Sequence, residues 1–250
     1  MTWRAAWRGV LLGLALLVCL LRFGWLWLGC VLRRRPVASV ERAQWMTFCG
    51  RLVLAALGIR YRIEGEPPVG VTVIAANHLS YLDIAIAAAS LPCAFVARHD
   101  VGEWPVFGPL SRMGGTIYVD RESRWSAWKT ADLIAQRLAE GVPVFFFPEG
   151  TSTDGREVLR FHSTLFAPAV ERGLKVTPAA ILYETHGAAA TERDLCWFGD
   201  DAFAPHLLQV LGVTGFTAVV RFGAPELHPD RKAGAYRSHD SVAALRRVSC

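Results

Sequence analysis

Apolar and polar positions alternate in two different ways along the chain, and the change falls near Tyr61. From Gly9 to Leu32 the only charged residue is Arg22. That run reaches the roughly 20 residues a bilayer-spanning helix needs. Arg4 and Arg8 precede it, Arg33, Arg34 and Arg35 follow it, and Trp25 and Trp27 stand near its second end, where amphipathic rings favour the headgroup level. A straight span would bury Arg22 in one leaflet at a cost of about 2.5–3.5 kcal/mol. A helix that only dips into the bilayer, or an arginine that snorkels toward a lipid phosphate, avoids it. The pattern over residues 10–32 therefore leaves span and dip both open. A cleaved secretory signal is the competing reading, but no small-x-small site follows the run and three arginines come directly after it. The heavier positive charge on that side predicts that the rest of the chain is cytoplasmic.

Over residues 36–60, Trp45, Phe48, Cys49, Leu52, Val53 and Ala56 recur at helical spacing. They predict a second helix, either lying in the membrane interface or facing a core. The chain thus divides into an N-terminal membrane anchor with an interfacial helix, residues 1–60, and a folded domain, residues 61–250. In the latter, short apolar runs bounded by turn residues predict strands at Tyr61–Glu64, Val71–Ala76, Ala94–Ala97, Thr116–Val119, Val144–Phe147, Val176–Ile181 and Phe216–Phe222. Helices are predicted at Tyr81–Ala89, Arg124–Glu140, Thr164–Arg172 and Pro205–Leu211, and a short one at Ser241–Val248 in a polar tail. Strands alternating with helices predict an α/β fold with a mostly parallel central sheet flanked by helices.

Charge and composition narrow the chemistry. A net charge of +5 suits work beside anionic lipid, and no basic stripe interleaved with stacking aromatics points to nucleic acid. The six cysteines show no paired spacing and read as reduced, mostly buried thiols. Histidines do not cluster at metal-ligand spacing, so no metal is expected. Nucleotide-binding glycine fingerprints and the serine elbow of hydrolases are both missing.

The most informative stretch is Ala76-Asn77-His78-Leu79-Ser80-Tyr81-Leu82-Asp83, which follows an apolar strand and opens a helix. On one continuous helix His78 and Asp83 would point about 140° apart. With His78 on the loop, Ser80 as N-cap and Asp83 in the first turn, the carboxylate reaches one imidazole nitrogen and leaves the other free as a base. Ser80-x-x-Asp83 also reads as a capping box, which gives Asp83 a structural role instead. A base without a protein nucleophile suits attack by a substrate hydroxyl on a thioester, with the thiol leaving. Phe147-Pro148-Glu149-Gly150-Thr151-Ser152-Thr153 is a second strand-to-turn stretch. Its glycine, hydroxyls and amides suit a phosphate or an oxyanion. A third runs from Gly115 to Arg121, whose guanidinium suits a bidentate phosphate grip.

In this order, the stretches resemble the 1-acylglycerol-3-phosphate O-acyltransferase family. Its N-H-x-x-x-x-D block is matched by Asn77-His78 through Asp83, and its glycine-rich strand ending in arginine by Gly115 through Arg121. F-P-E-G-T is matched by Phe147 through Thr151, and a proline-bearing strand by Val176 through Ile181. The resemblance covers about Tyr61 to Pro225 and makes residues 61–250 an acyltransferase domain. It implies that His78 is the general base and Asp83 its orienting partner. It also implies that Asn77, Arg121, Glu149, Gly150, Thr151, Ser152 and Pro178 serve substrate binding, with Pro178's strand shaping the acyl site. Acyl-carrier protein or coenzyme A would deliver the acyl group as a thioester, and no cofactor is implied. Lysophosphatidic acid is the implied acceptor and the bacterial inner membrane the implied location. The third block often continues Thr-Arg-Ser, whereas this chain has Thr151-Ser152-Thr153. Arg156, Arg160 and His162 are the nearby replacements for the missing charge. The stretch Trp197–Asp201 through Pro205-His206-Leu207 resembles a bacterial branch that includes acyltransferases for lyso-ornithine lipid, an acceptor without phosphate. That makes lyso-ornithine lipid the alternative acceptor.

Overall fold

A computed structural model describes residues 2–104, 106–119, 124–186 and 190–247. Two helices come first, α1 (Trp3–Leu32) and α2 (Ser39–Leu57). Then follow β1 (Arg60–Glu64), β2 (Val73–Ala76), α3 (Leu82–Ser90), β3 (Ala94–Arg98), α4 (Phe107–Met113), β4 (Ile117–Val119) and α5 (Arg124–Ala139). The chain goes on with β5 (Val144–Phe146), α6 (Ala167–Glu171), β6 (Val176–Thr185), α7 (Phe203–Gly212), β7 (Phe216–Phe222) and α8 (Arg231–Arg247). The seven strands form one sheet in the order β1-β7-β6-β2-β5-β3-β4. All neighbours are parallel except β6 and β7. The expected α/β fold is present.

The strands read as continuous apolar runs because both faces of the sheet are covered. Ile74, Ala76, Phe145, Phe147 and Ile181 face α3, α7 and the end of α2. Val73, Ala75, Val144, Phe146 and Ala180 face Ile134 and Leu138 of α5, Phe166 and Val242 of α8. Alternate residues thus go to opposite sides, as a pleated strand requires. The five described cysteines are free and buried.

α1 is long and apolar enough to cross a membrane by length and composition, yet it does not project from the domain. Arg8 donates to the carbonyls of Val213 (2.6 Å) and Leu211 (3.3 Å), next to the carboxyl end of α7, where helix carbonyls lack partners. Midway, Trp45 of α2 donates to Cys19 C=O at 2.9 Å and stacks edge-on with Phe23. Arg22, awkward within the apolar run, lies exposed with its guanidinium 4.1 Å from the centre of the Phe48 ring. α2 is a packed helix. A side chain at its Gly50 would come within 2.6 Å of Ala85 C=O on α3, so the missing side chain is what lets the two helices touch.

Three boundaries differ most from expectation, and α4 falls where the sequence predicts no helix. β6 runs on to Thr185. The stretch around Thr164–Arg172 splits into a 3-10 turn at Ser163–Phe166 and α6. α8 begins ten residues before Ser241, because Ala235, Ser238 and Val242 supply a narrow buried stripe in an otherwise polar segment.

Candidate active site

β2 sits in the middle of the sheet, and ligands of parallel sheets gather at the carboxyl ends of such strands. Asn77 follows its last residue and is buried. The side-chain Nδ2 donates to Ile181 C=O at 3.0 Å and Oδ1 accepts from Ile181 N–H at 2.8 Å. The amide therefore extends the β2–β6 ladder by one rung and fixes where the loop starts.

His78 is then held by its main chain. Its N–H donates to Glu149 Oε1 at 2.7 Å and its carbonyl accepts from Thr153 N–H at 2.9 Å. One residue on, Leu79 C=O accepts from Trp197 N–H at 2.9 Å. The side chain stacks on Phe147 with ring centres 4.2 Å apart, and Nδ1 lies 2.8 Å from Asp83 Oδ2. That same oxygen accepts from the N–H groups of Leu79 (2.6 Å) and Ser80 (3.0 Å). The other, Oδ1, accepts a close hydrogen bond from the Tyr183 hydroxyl. Asp83 is fully buried while the His78 side chain is 20% exposed. A buried carboxylate facing four donors is satisfied as an anion. As an acceptor only, it requires the proton of neutral His78 to sit on Nδ1. Nε2 is then left unprotonated, and no described residue bonds to it.

Asp83 is not the acid of a capping box, because the helix starts one residue later than Ser80-x-x-Asp83 requires. It holds the loop through the Leu79 and Ser80 N–H groups, and its grip on His78 sets the tautomer. Ser80 itself is not the side-chain cap. Tyr81 takes the N-cap position, and Ser80 Oγ only accepts a long 3.4 Å bond from Leu82 N–H. Ser80 is also completely buried, which removes it as a nucleophile.

Glu149 ties the second block to the first, since its Oε2 accepts from Leu159 N–H at 2.7 Å. Burial pushes its carboxyl up to about 7, against the pull of the two backbone donors. In the folded chain the proton is thus held to about pH 7, in place of an ordinary glutamate's 4.5. Between these values the folded state binds more protons than the unfolded one, so stability falls as pH rises through the window and levels off above it. The fall is expected to reach about 3 kcal/mol, or roughly 5–10 °C in thermal midpoint. Thermal unfolding in detergent from pH 4.5 to 8 checks this, and Glu149→Gln is expected to flatten that slope.

Gly150 turns the chain with φ +79°. The N–H groups of Thr151 and Ser152, beside the bond from Thr153 to His78, make no bond among the described residues. The cations of this end are largely engaged. Arg156 and Arg193 lie 3.3 and 3.9 Å from Asp154. Arg246 of α8 donates to Glu192 (2.9 Å), Gly155 C=O (2.7 Å) and Ile181 C=O (2.5 Å). Arg160 and His162 are exposed. Arg121 lies outside the described residues. Pro178 shares the sheet face of Val176 and Ala180, away from His78, and packs beside Gly223. Along the other flank Tyr81, Trp104, Phe107, Trp197 and Phe203 form an aromatic wall with ring centres 4.9–6.5 Å apart.

The sequence reading missed Tyr183 and Arg246. Tyr183 is wholly buried, and that burial, then Asp83, hold its phenol far above the usual range, so it is a fixed donor. It lies two residues beyond the predicted end of β6, where the alternation of that strand, extended, would have placed it on the His78 face.

The Acyltransferase family profile matches residues 58–182, and the His78, Asp83 and Glu149 geometry falls inside that span. The chain belongs to this family. It is 36% identical to the lyso-ornithine lipid O-acyltransferase of Rhodobacter capsulatus over 78% of this chain and 70% of that protein. It is also 36% identical to the 1-acyl-sn-glycerol-3-phosphate acyltransferase of Neisseria meningitidis, over 58% of this chain and 57% of that one. The fold is shared with the solved 1-acyl-sn-glycerophosphate acyltransferase of Thermotoga maritima, with a TM-score of 0.65 and 18% identity over 98% of this chain and 100% of that one. The protein is accordingly an O-acyltransferase of lipid synthesis.

Proposed function

We propose that this acyltransferase moves an acyl chain from a thioester of acyl-carrier protein or coenzyme A to the free hydroxyl of lyso-ornithine lipid, at the cytoplasmic face of a bacterial inner membrane. The observation that carries the chemistry is the buried, four-donor Asp83, which presents His78 Nε2 as an unprotonated nitrogen at the open end of the sheet. Nε2 takes the hydroxyl proton as the oxygen bonds to the thioester carbonyl. The carbon–sulfur bond then breaks, and the departing thiolate recovers the proton from the imidazolium. The unbonded amides of Thr151 and Ser152 suit the oxyanion that forms in between.

The turn also supports the choice of acceptor. Where relatives for phosphorylated acceptors often carry an arginine, Ser152 stands, and Arg156, Arg193 and Arg246 are already paired with carboxylates. A headgroup bearing one carboxylate and one ammonium needs less positive charge than a phosphate monoester. The longer match to the lyso-ornithine lipid enzyme points the same way. Lysophosphatidic acid is the second reading, favoured by the equal identity to the Neisseria enzyme. In it, Arg121 would grip the phosphate.

Membranes holding the protein, given radiolabelled acyl thioester and either acceptor, separate the two. Product from lyso-ornithine lipid alone is expected. Product from lysophosphatidic acid alone would overturn the assignment and move the role to phospholipid synthesis.

A further inference from the structure

A second polar site lies at the amino ends of the parallel strands, the end of the sheet opposite His78. There the link between α1 and α2, the ends of α4 and α5, and the residues leading into β4 line an open cavity of about 740 Å³. Arg42, Arg112 and Arg137 line it, with Glu140 as the one carboxylate. Arg42 and Arg137 close over Gly115, where a side-chain Cβ would lie 3.3 Å from Arg42 Cδ and 4.0 Å from Arg137 Nε. Neither the φ of +76° at Gly115 nor the space would suit a larger residue.

These guanidiniums are only partly used. Arg42 donates to Met113 C=O at 2.7 Å and to Val37 C=O at 3.3 Å, which leaves Nη2 free. Arg112 donates Nη1 to Gly102 C=O at 2.7 Å. Arg137 gives Nη1 to Glu140 at 3.0 Å, while its Nε is buried with no partner. An oxyanion in the cavity is offered the Nη2 groups of Arg42, Arg112 and Arg137, which make no bond among the described residues. Burial, and then the charge of Arg137, hold Arg42 below its ordinary value, a strain that an anion relieves. The first turn of α2, at Ser39 and Val40, also faces the cavity, and helix amino ends favour negative charge.

The cavity adjoins the lipid-suited part of the chain. Residues 36–40 line it, directly after Arg33–Arg35 and the exposed Trp25, Trp27, Leu28 and Leu32 of α1. A bilayer that receives this apolar end brings its headgroups to the cavity. We propose that the Arg42–Arg112–Arg137 cavity binds the phosphate of an anionic phospholipid headgroup, at a site separate from the one that takes the acyl acceptor. The phosphates of an acyl donor share this chemistry, but the site lies across the sheet from His78.

The test uses the full chain in zwitterionic detergent, with thermal midpoint followed by tryptophan fluorescence. Dihexanoyl phosphatidylglycerol is titrated beside dihexanoyl phosphatidylcholine, inorganic phosphate and coenzyme A. The glycerol lipid is expected to raise the midpoint by roughly 5–10 °C at a hundredfold excess over its Kd, and the choline lipid to leave it unchanged. Arg112→Gln/Arg137→Gln is expected to lose the shift. So is Val40→Asp, which keeps all three arginines and the Ser39–Glu140 bond and puts a carboxylate in the first turn of α2 at the site, where a helix amino end tolerates it. Acyl transfer in purely zwitterionic vesicles should stay at the wild-type rate in Val40→Asp. An undiminished shift in the variants, or no shift in the wild type, overturns the proposal. An arginine-dependent shift with coenzyme A or inorganic phosphate but not with the lipid also overturns it, and assigns the cavity to a soluble phosphate.

Discussion

His78→Ala is expected to lower acyl transfer by about 10²–10⁴-fold, the range a positioned general base supplies, with little change in stability. The loop is held by main-chain groups that alanine retains, namely the N–H on Glu149 and the carbonyl under Thr153. Asp83 keeps Leu79, Ser80 and Tyr183 as donors when the imidazole is gone. The losses are the stack on Phe147, worth about 1 kcal/mol, and the Nδ1 bond to Asp83, whose carboxylate keeps its other three donors. Initial rates with saturating thioester, alongside thermal unfolding, check both halves. Activity within tenfold of wild type would remove His78 from the chemistry, and a large fall in midpoint would mean that the ring supports the fold.

Asp83 should behave in the opposite way. Asp83→Ala strands two buried N–H groups and the Tyr183 hydroxyl, and breaking such a buried network is expected to cost about 3–5 kcal/mol together with all measurable transfer. Asp83→Asn separates the two roles. Its oxygen can still serve Nδ1 and the two N–H groups, and its amide can donate to Tyr183 Oη. The fold should therefore lose less than half of what alanine loses. The negative charge that stabilises the imidazolium is gone, and kcat is expected to fall by at least about 10²-fold. Urea or thermal unfolding gives the first quantity and steady-state kinetics the second. Equal stability loss in both variants, or near-normal kcat in the asparagine form, would refute this division of labour.

Much of this is legible in the sequence. The order of the strands, and of the helices apart from α4, followed from apolar runs punctuated by turn residues, because a sheet covered on both faces imposes that texture. His78 and Asp83 were legible because a loop histidine followed by a first-turn acid leaves few geometries. What Glu149 does was not. Its sequence neighbours advertise a polar turn, while its oxygens reach His78 and Leu159, 71 and 10 positions away. Asn77 read as a substrate contact, yet its amide extends a ladder, a task defined only once β6 lies alongside. Tyr183 stayed hidden because strand ends are set by packing partners, and Arg246 because its partners Gly155 and Glu192 are 91 and 54 positions away. Arg246 reaches Glu192 and Gly155 only through an α8 whose polar first half shows a weak apolar stripe. The sequence leaves open whether α2 lies in the interface or faces a core for a similar reason, since its contact with α3 depends on Gly50 having no side chain.

The central claim is direct transfer, in which His78 activates the acceptor hydroxyl and the enzyme is never acylated. Rapid mixing of the protein with acyl thioester, with and without acceptor, tests it most directly. Free thiol and intact protein mass are then followed through the first turnover. Thiol release only when acceptor is present, with no acyl adduct on the protein, is the predicted result. A burst of thiol without acceptor, matched by a protein heavier by one acyl group, would contradict it and require a nucleophile other than the substrate.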